Sequence, residues 1–169
     1  SLLAAAACGD TVTMQILIEN KVRVDLGPGL HRYTPLDIAS RNGHSTAVQM
    51  LLNAKANVSA SVGSQATPLQ YAARYGHVAS AKLLIVARAD LNVEDNEHNT
   101  PLSCAVNNRH VDVVRVLIET HATVNVEDYS LESILLFPTR INPLRCAVLR
   151  GDSAIVKNLI EAKASFDNM

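Results

Sequence analysis

Thr67-Pro68-Leu69-Gln70-Tyr71-Ala72-Ala73-Arg74-Tyr75-Gly76-His77 carries the signals of one short helix and the reversal that ends it. Proline, with φ fixed and no N–H, suits the first turn of a helix, where the N–H would have no partner. The threonine before it can cap that turn. The alanine pair lets another helix approach closely. Gly76 can take the positive φ that ends a helix and turns the chain back. The pattern recurs along the chain. Thr34-Pro35-Leu36, Thr100-Pro101-Leu102 and an altered copy, Asn142-Pro143-Leu144, place successive prolines 33, 33 and 42 residues apart. Eight residues after each proline stand Gly43-His44, Gly76-His77, Arg109-His110 and Gly151-Asp152. An earlier Gly9-Asp10 aligns Ala5-Ala6 with Ala72-Ala73, so the first eight residues are expected to be the inner helix of a truncated first unit.

After each Gly-His the apolar residues fall at helical spacing. Val113, Val114, Val116, Leu117 and Ile118 form one such set, and Ile155, Val156, Leu159 and Ile160 another. Each set makes one apolar face. Gln15, Gln49, Lys82, Arg115 and Lys157 are expected to point outward. Thr-Pro-Leu, Ala-Ala and Gly-His recurring in phase at this period resemble the ankyrin repeat. The resemblance covers essentially the whole chain as one domain of five units, about 1–28, 29–61, 62–94, 95–136 and 137–169. It implies an all-α solenoid of stacked helix-turn-helix units with β-turn or hairpin fingers. One helix pair exposes too much apolar surface alone, so about three or more units must stack.

Composition agrees with this and excludes several classes. The 169 residues are 48% apolar and 18% charged, which excludes intrinsic disorder. A net charge of −1 gives no general attraction to nucleic acid or anionic membrane, so neither is an expected partner. No apolar run approaches the roughly 18 residues of a membrane span. Four Tyr, two Phe and no Trp leave the core to Ala, Leu, Ile and Val. Cys8, Cys104 and Cys146 form no paired framework and point to a reducing, intracellular, cytoplasmic setting. Ser1-Leu2-Leu3-Ala4 to Cys8 could imitate the end of a secretion signal, but it has no basic leader. The absence of an initial Met, and a last helix with Ala154, Ile155, Leu159 and Ile160 lacking a following unit, suggest a piece of a longer protein.

The chain departs from the resembled family in four ways. The family's His after Thr-Pro-Leu is replaced by Asp37, Gln70, Ser103 and Arg145, which implies weaker coupling between units. Arg109 stands where the other units have Gly, which predicts strain there. After the second helix, where the family commonly has Gly, stand Lys21, Lys55, Arg88, His121 and Lys163. A left-handed non-Gly residue costs roughly 1 kcal/mol, and a cation at a helix C-terminus returns roughly 0.3–1 kcal/mol. A structural origin is the preferred explanation of this ladder, and an edge that meets an acidic partner is the other. Finally, Asp128 to Pro138 holds about nine extra residues, among them Leu131, Ile134, Leu135, Leu136 and Phe137. Such a loop either folds back onto the inner helices or anchors a partner.

No catalytic constellation emerges. His44, His77 and His110 belong to the repeat and are expected to open the second helices. His31, His98 and His121 have no ligand-like spacing for a metal. Cys104 and Cys146 occupy equivalent inner-helix sites, too far apart for a disulfide at a helix spacing of roughly 8–10 Å. Leu26-Gly27-Pro28-Gly29 lacks a phosphate-loop pattern. No catalytic residue, cofactor or metal is expected. What remains is binding, and the resemblance places it on the fingers (Leu30, His31, Tyr33; Gly63, Ser64, Ala66; Asn96, Glu97, Asn99) and on the exposed inner-helix ends. Tyr33, Arg41, Asn42, Arg74, Tyr75, Asn107 and Asn108 are the candidates there, with Leu135 and Phe137 in the insertion. Tyr and Arg are favoured interface anchors, and aromatic residues are scarce elsewhere in this chain. Tyr71 is expected to pack inside. The expected function is a non-catalytic, monomeric module that binds another protein. The alternative is the recognition part of a larger enzyme or effector. Asn92 and Asn125, each eight residues after a leucine (Leu84, Leu117), also resemble sites of asparaginyl hydroxylation.

Overall fold

The structure, a computed structural model, describes residues 1–25, 33–59, 66–120, 122 and 143–166, with side chains described up to 162. The described residues form five helix pairs and no strand. The inner helices are α1 (Leu2–Cys8), α3 (Pro35–Asn42), α5 (Pro68–Arg74), α7 (Pro101–Asn107) and α9 (Pro143–Leu149). The outer helices are α2 (Thr11–Glu19), α4 (Ser45–Asn53), α6 (Val78–Val86), α8 (Val111–Glu119) and α10 (Ser153–Phe166). Each inner helix packs on its outer partner and on the next inner helix, and the outer helices stack in the same order. Helices of seven to nine residues are too short to stand alone, since isolated helices below about 12–15 residues are marginal in water. Stacking therefore holds them.

The inner helices begin as the sequence dictates. The Oγ1 atoms of Thr34, Thr67 and Thr100 accept from the N–H groups of Asp37, Gln70 and Ser103, with proline in the first turn. Leu36, Leu69 and Leu102 are buried behind each cap, with Ala39, Ala72, Ala105 and Ala147 fully enclosed at the close contacts. Val48, Leu51, Leu84, Val113, Val114 and Leu117 fill the space between inner and outer layers. Ile155 and Leu159, expected to lie open at the last helix, are fully buried against the preceding unit, while Ala154 and Ile160 are exposed. The helix period explains the correction: 155 and 159 lie one turn apart on the face toward α8 and α9.

The reversal between helices couples the repeats. His44, His77 and His110 occupy the N-cap positions of α4, α6 and α8 without capping them. Their rings turn instead to the preceding repeat. Nε2 donates to the carbonyls of Ala7 (3.1 Å), Arg41 (3.0 Å) and Arg74 (3.1 Å), respectively. Each ring lies directly over the preceding glycine. A Cβ on Gly9, Gly43 or Gly76 would sit 2.7, 2.5 or 2.5 Å from a ring nitrogen. Asp10 and Asp152, which stand where the other units have His, do cap their helices through Thr13 and Ile155 N–H. Asp152 leaves room for a side chain at 109. Arg109 takes the left-handed turn with φ 62°, and its Nε donates to Asp152 Oδ2 at 3.2 Å. The expected strain at Arg109 is therefore present, but an ion pair to the next repeat accompanies it.

The position after Thr-Pro-Leu, where weak coupling is expected, differs from unit to unit. Gln70 accepts from Thr67 N–H and donates from Nε2 to the carbonyls of Val93 (3.0 Å) and Asn99 (2.6 Å), so it bridges to the next finger. Asp37 is one methylene shorter. Its Oδ2 accepts from Thr34 N–H and Oγ1, while its buried Oδ1 has no hydrogen-bond partner among the described residues. Ser103 donates only to its own cap carbonyl, Thr100. Among the described residues, a hydrogen bond from this position to the next finger occurs at Gln70 and not at Asp37 or Ser103.

Two outcomes follow from these contacts. Gly76→Ala meets both a left-handed backbone and the His110 ring, whereas Gly151→Ala meets only the backbone, since no atom lies within 4 Å of its added Cβ. Urea unfolding should show Gly151→Ala costing about 1 kcal/mol and Gly76→Ala about twice that. Burial raises the Asp37 carboxyl to about 6, against the bonds from Thr34 that lower it. A folded-state value above the unfolded one leaves stability intact below the unfolded pKa and removes it as pH rises through about 6. Asp37→Gln should therefore stabilise the chain by about 1–2 kcal/mol at pH 8 and by less at pH 4.5. Unfolding curves at both values measure the difference.

Candidate functional site

The histidine contacts fix where the C-terminal ends of the inner helices lie, and side chains from α3 and α5 meet there. Arg41 is in the last turn of α3, and Arg74 and Tyr75 close α5. Tyr33 enters from the residue before the Thr34 cap. The Arg41 guanidinium carbon lies 5.9 Å from the Tyr33 ring centre and 5.6 Å from the Tyr75 ring centre, so one cation bridges two rings. The Tyr33 ring meets that of Tyr71 at 5.9 Å, tilted by 60°. Tyr75 stacks on His77 at 6.4 Å. Tyr71 is buried, and that burial, followed by Tyr33, raises its hydroxyl's pKa. Tyr75 stays 44% exposed even with Arg41 and His77 against its ring.

Arg74 holds the same repeat position as Arg41 but behaves differently. Its Nη2 pairs with Asp95 Oδ2 at 3.2 Å, where the acid's side chain is only 7% exposed. Asp95 Oδ1 in turn accepts from the N–H groups of Glu97 and Asn99. Arg74 is thus a tie between α5 and the next finger, with a further contact to Cys104 Sγ at 3.9 Å. Burial pushes the Cys104 thiol up to about 11 despite that guanidinium, so it is a packed thiol and not a nucleophile at neutral pH.

The other expected positions separate into exposed and structural ones. Asn42 is exposed, and its Nδ2 donates to the Ala7 carbonyl at 2.8 Å. Asn108 is exposed and donates to the Cys104 carbonyl at 2.8 Å; Asn107 is half-buried. Asn96 and Glu97 are exposed finger residues. Asn99 and Ala66, expected at exposed fingertips, are buried. Asn99 folds back because its amide donates to both oxygens of Asp95 while its carbonyl receives Gln70. Asn92 is exposed. Leu135, Phe137, Leu30, His31, Gly63, Ser64, His121, Asn125 and Tyr129 lie outside the described residues. The basic ladder is present at Lys21, Lys55 and Arg88, all exposed and left-handed at φ 56°, 65° and 64°. Each follows the C-terminus of an outer helix, as the helix-dipole argument requires.

Among the described residues no group of His, Cys, Asp and Glu could hold a metal ion. No helix there is long and apolar enough to cross a membrane. What the assembled residues offer is a cation between two tyrosines on a rigid helical frame, a surface for recognition. Residue position alone could not separate Arg41 from Arg74. The missing signal was Asp95, one finger later.

A family model described as ankyrin repeats (three copies) matches residues 1–62 and 57–128. No curated protein matches the chain. The matched span stops before α9 and α10, which nonetheless pack on α7 and α8.

The Arg41 and Arg74 contrast predicts unequal stability losses. Arg74→Ala leaves the buried Asp95 carboxylate without its counter-charge and should cost about 2 kcal/mol. Among the described residues the Arg41 side chain makes only ring contacts, so Arg41→Ala should cost about 0.5–1 kcal/mol. Urea unfolding of the two variants provides the comparison.

Proposed function

We propose that this chain, which belongs to the ankyrin-repeat family, is a non-catalytic module that grips a partner protein at the exposed ends of its inner helices. Ankyrin repeats are in general protein-interaction modules and typically carry no chemistry. The observation that supports this placement is the Tyr33–Arg41–Tyr75 cluster, with Tyr75 partly exposed on a frame fixed by stacking. A rigid surface loses little freedom on association, which favours affinity. Arg41 and Tyr75 form the centre of the contact, and Tyr33 orients Arg41. Asn42, Asn107 and Asn108 extend the contact along neighbouring repeats, and Arg74 holds the supporting finger. Leu135 and Phe137 supply a second, apolar contact from the insertion. The chain acts as a monomer inside the cell, with neither nucleic acid nor membrane as its target.

The test is an affinity pull-down from a lysate of the source cells, comparing the wild-type chain with Arg41→Ala/Tyr75→Ala. Circular dichroism of both proteins checks that the variant is folded. The variant should keep its helical signal and lose the partner by tenfold or more, as expected for truncation of central anchors. A partner retained at wild-type level would place binding on the basic ladder or the insertion instead.

A further inference from the structure

Arg41 and Arg74 stand 33 residues apart in the same place of consecutive repeats. Among the described residues, Arg74 pairs with a carboxylate and Arg41 does not. Arg74 has Asp95, held in the following finger at 3.2 Å. The residue in register with Asp95 for Arg41 is Val62, and the stretch 60–65, Ala-Ser-Val-Gly-Ser-Gln, contains no acid. The stretch 26–32 on the other side, Leu-Gly-Pro-Gly-Leu-His-Arg, contains none either. Asp37 is one turn earlier on the same helix, but its bonded oxygen serves Thr34 and it makes no ion pair with Arg41. Among the described residues Arg41 has no carboxylate partner.

The two tyrosines hold this charge without using it up. A ring attracts the face of a guanidinium and leaves its N–H edges free, and those edges match a carboxylate in a bidentate fork. Arg41 is therefore an oriented set of donors beside an exposed aromatic surface. The second copy of the same position shows what such an arginine takes when its counter-charge is present.

We propose that Arg41 receives a carboxylate from the partner. An aspartate or glutamate side chain on a peptide segment of the bound protein takes at Arg41 the place that Asp95 takes at Arg74, with Tyr75 packing beside it. This rests on the function proposed above and adds the partner's chemistry, an acidic segment.

A phage-displayed random peptide library panned against the chain tests it without a known partner. Selected peptides should carry Asp or Glu at one fixed position. In a resynthesised peptide, changing that acid to its amide should weaken binding to the wild-type chain by about tenfold to a hundredfold, as for a charge-assisted bond. The same change should make little difference on Arg41→Gln, a half-buried site whose substitution should leave the helical circular dichroism signal intact. Equal losses on both proteins, or peptides without acidic preference, would overturn the carboxylate assignment. If those peptides still lost affinity on Tyr75→Ala, the binding surface itself would stand; peptides indifferent to Tyr75 and Arg41 alike would overturn both. A chain whose mass doubles in light scattering, and returns to monomer in Arg41→Gln, would show a second copy as the occupant and overturn the acidic-peptide proposal.

Discussion

The stack depends on one contact repeated three times: a histidine ring seated over the glycine of the preceding repeat, with its Nε2 bonded to a carbonyl two residues before that glycine. Several features of the chain follow from it. The glycine is needed for its left-handed turn and also because any Cβ would occupy the ring's place. The histidine gives up its capping role because its ring faces backward. Where the next repeat offers Asp152 instead of a ring, the glycine is no longer required and Arg109 stands there, paired to that aspartate. The two positions therefore form a unit across the repeat boundary: Gly with His, or Arg with Asp.

The same contact carries the functional surface. The carbonyls that receive His77 and His110 belong to Arg41 and Arg74. The backbone of each arginine is thereby pinned to the next repeat, and only its side chain remains to be placed. Arg41 is then placed by Tyr33 and Tyr75, and Tyr75 itself stacks on His77. Arg74 is placed by Asp95. One rung thus supports both the stack and the cation held by the two tyrosines, so the surface is preorganised by the interaction that makes the fold.

Much of this was legible in the sequence because short-range chemistry determines it. Thr-Pro-Leu marks each inner helix through the cap and the first-turn proline, and the Gly-His period marks each reversal. The left-handed cations at Lys21, Lys55 and Arg88 were readable from the place of the family's glycine. Tyr71 inside and Tyr75 outside followed from helix position. What escaped were pairings between repeats. Nothing local in Arg41 and Arg74 distinguishes them; the difference lies in Asp95 against Val62 in the following fingers. Gln70 reaches the carbonyls of the next finger, and Asp37 at the same position is one methylene shorter. Asn99 and Ala66 lie at fingertips in sequence but turn inward, Asn99 because Asp95 captures its amide. Ile155 and Leu159 share the face of α10 that packs on the preceding unit, whereas Ile160 of the same apolar set stays exposed.

The most direct test is a long-range proton–nitrogen NMR spectrum of the histidine side chains in the folded chain. A carbonyl can only accept, so Nε2 of His44, His77 and His110 must carry a proton. The account predicts three protonated Nε2 nitrogens, protected from solvent exchange and coupled to the carbonyl carbons of Ala7, Arg41 and Arg74. Rings protonated only at Nδ1, or Nε2 protons exchanging as freely as those of an exposed histidine, would contradict it.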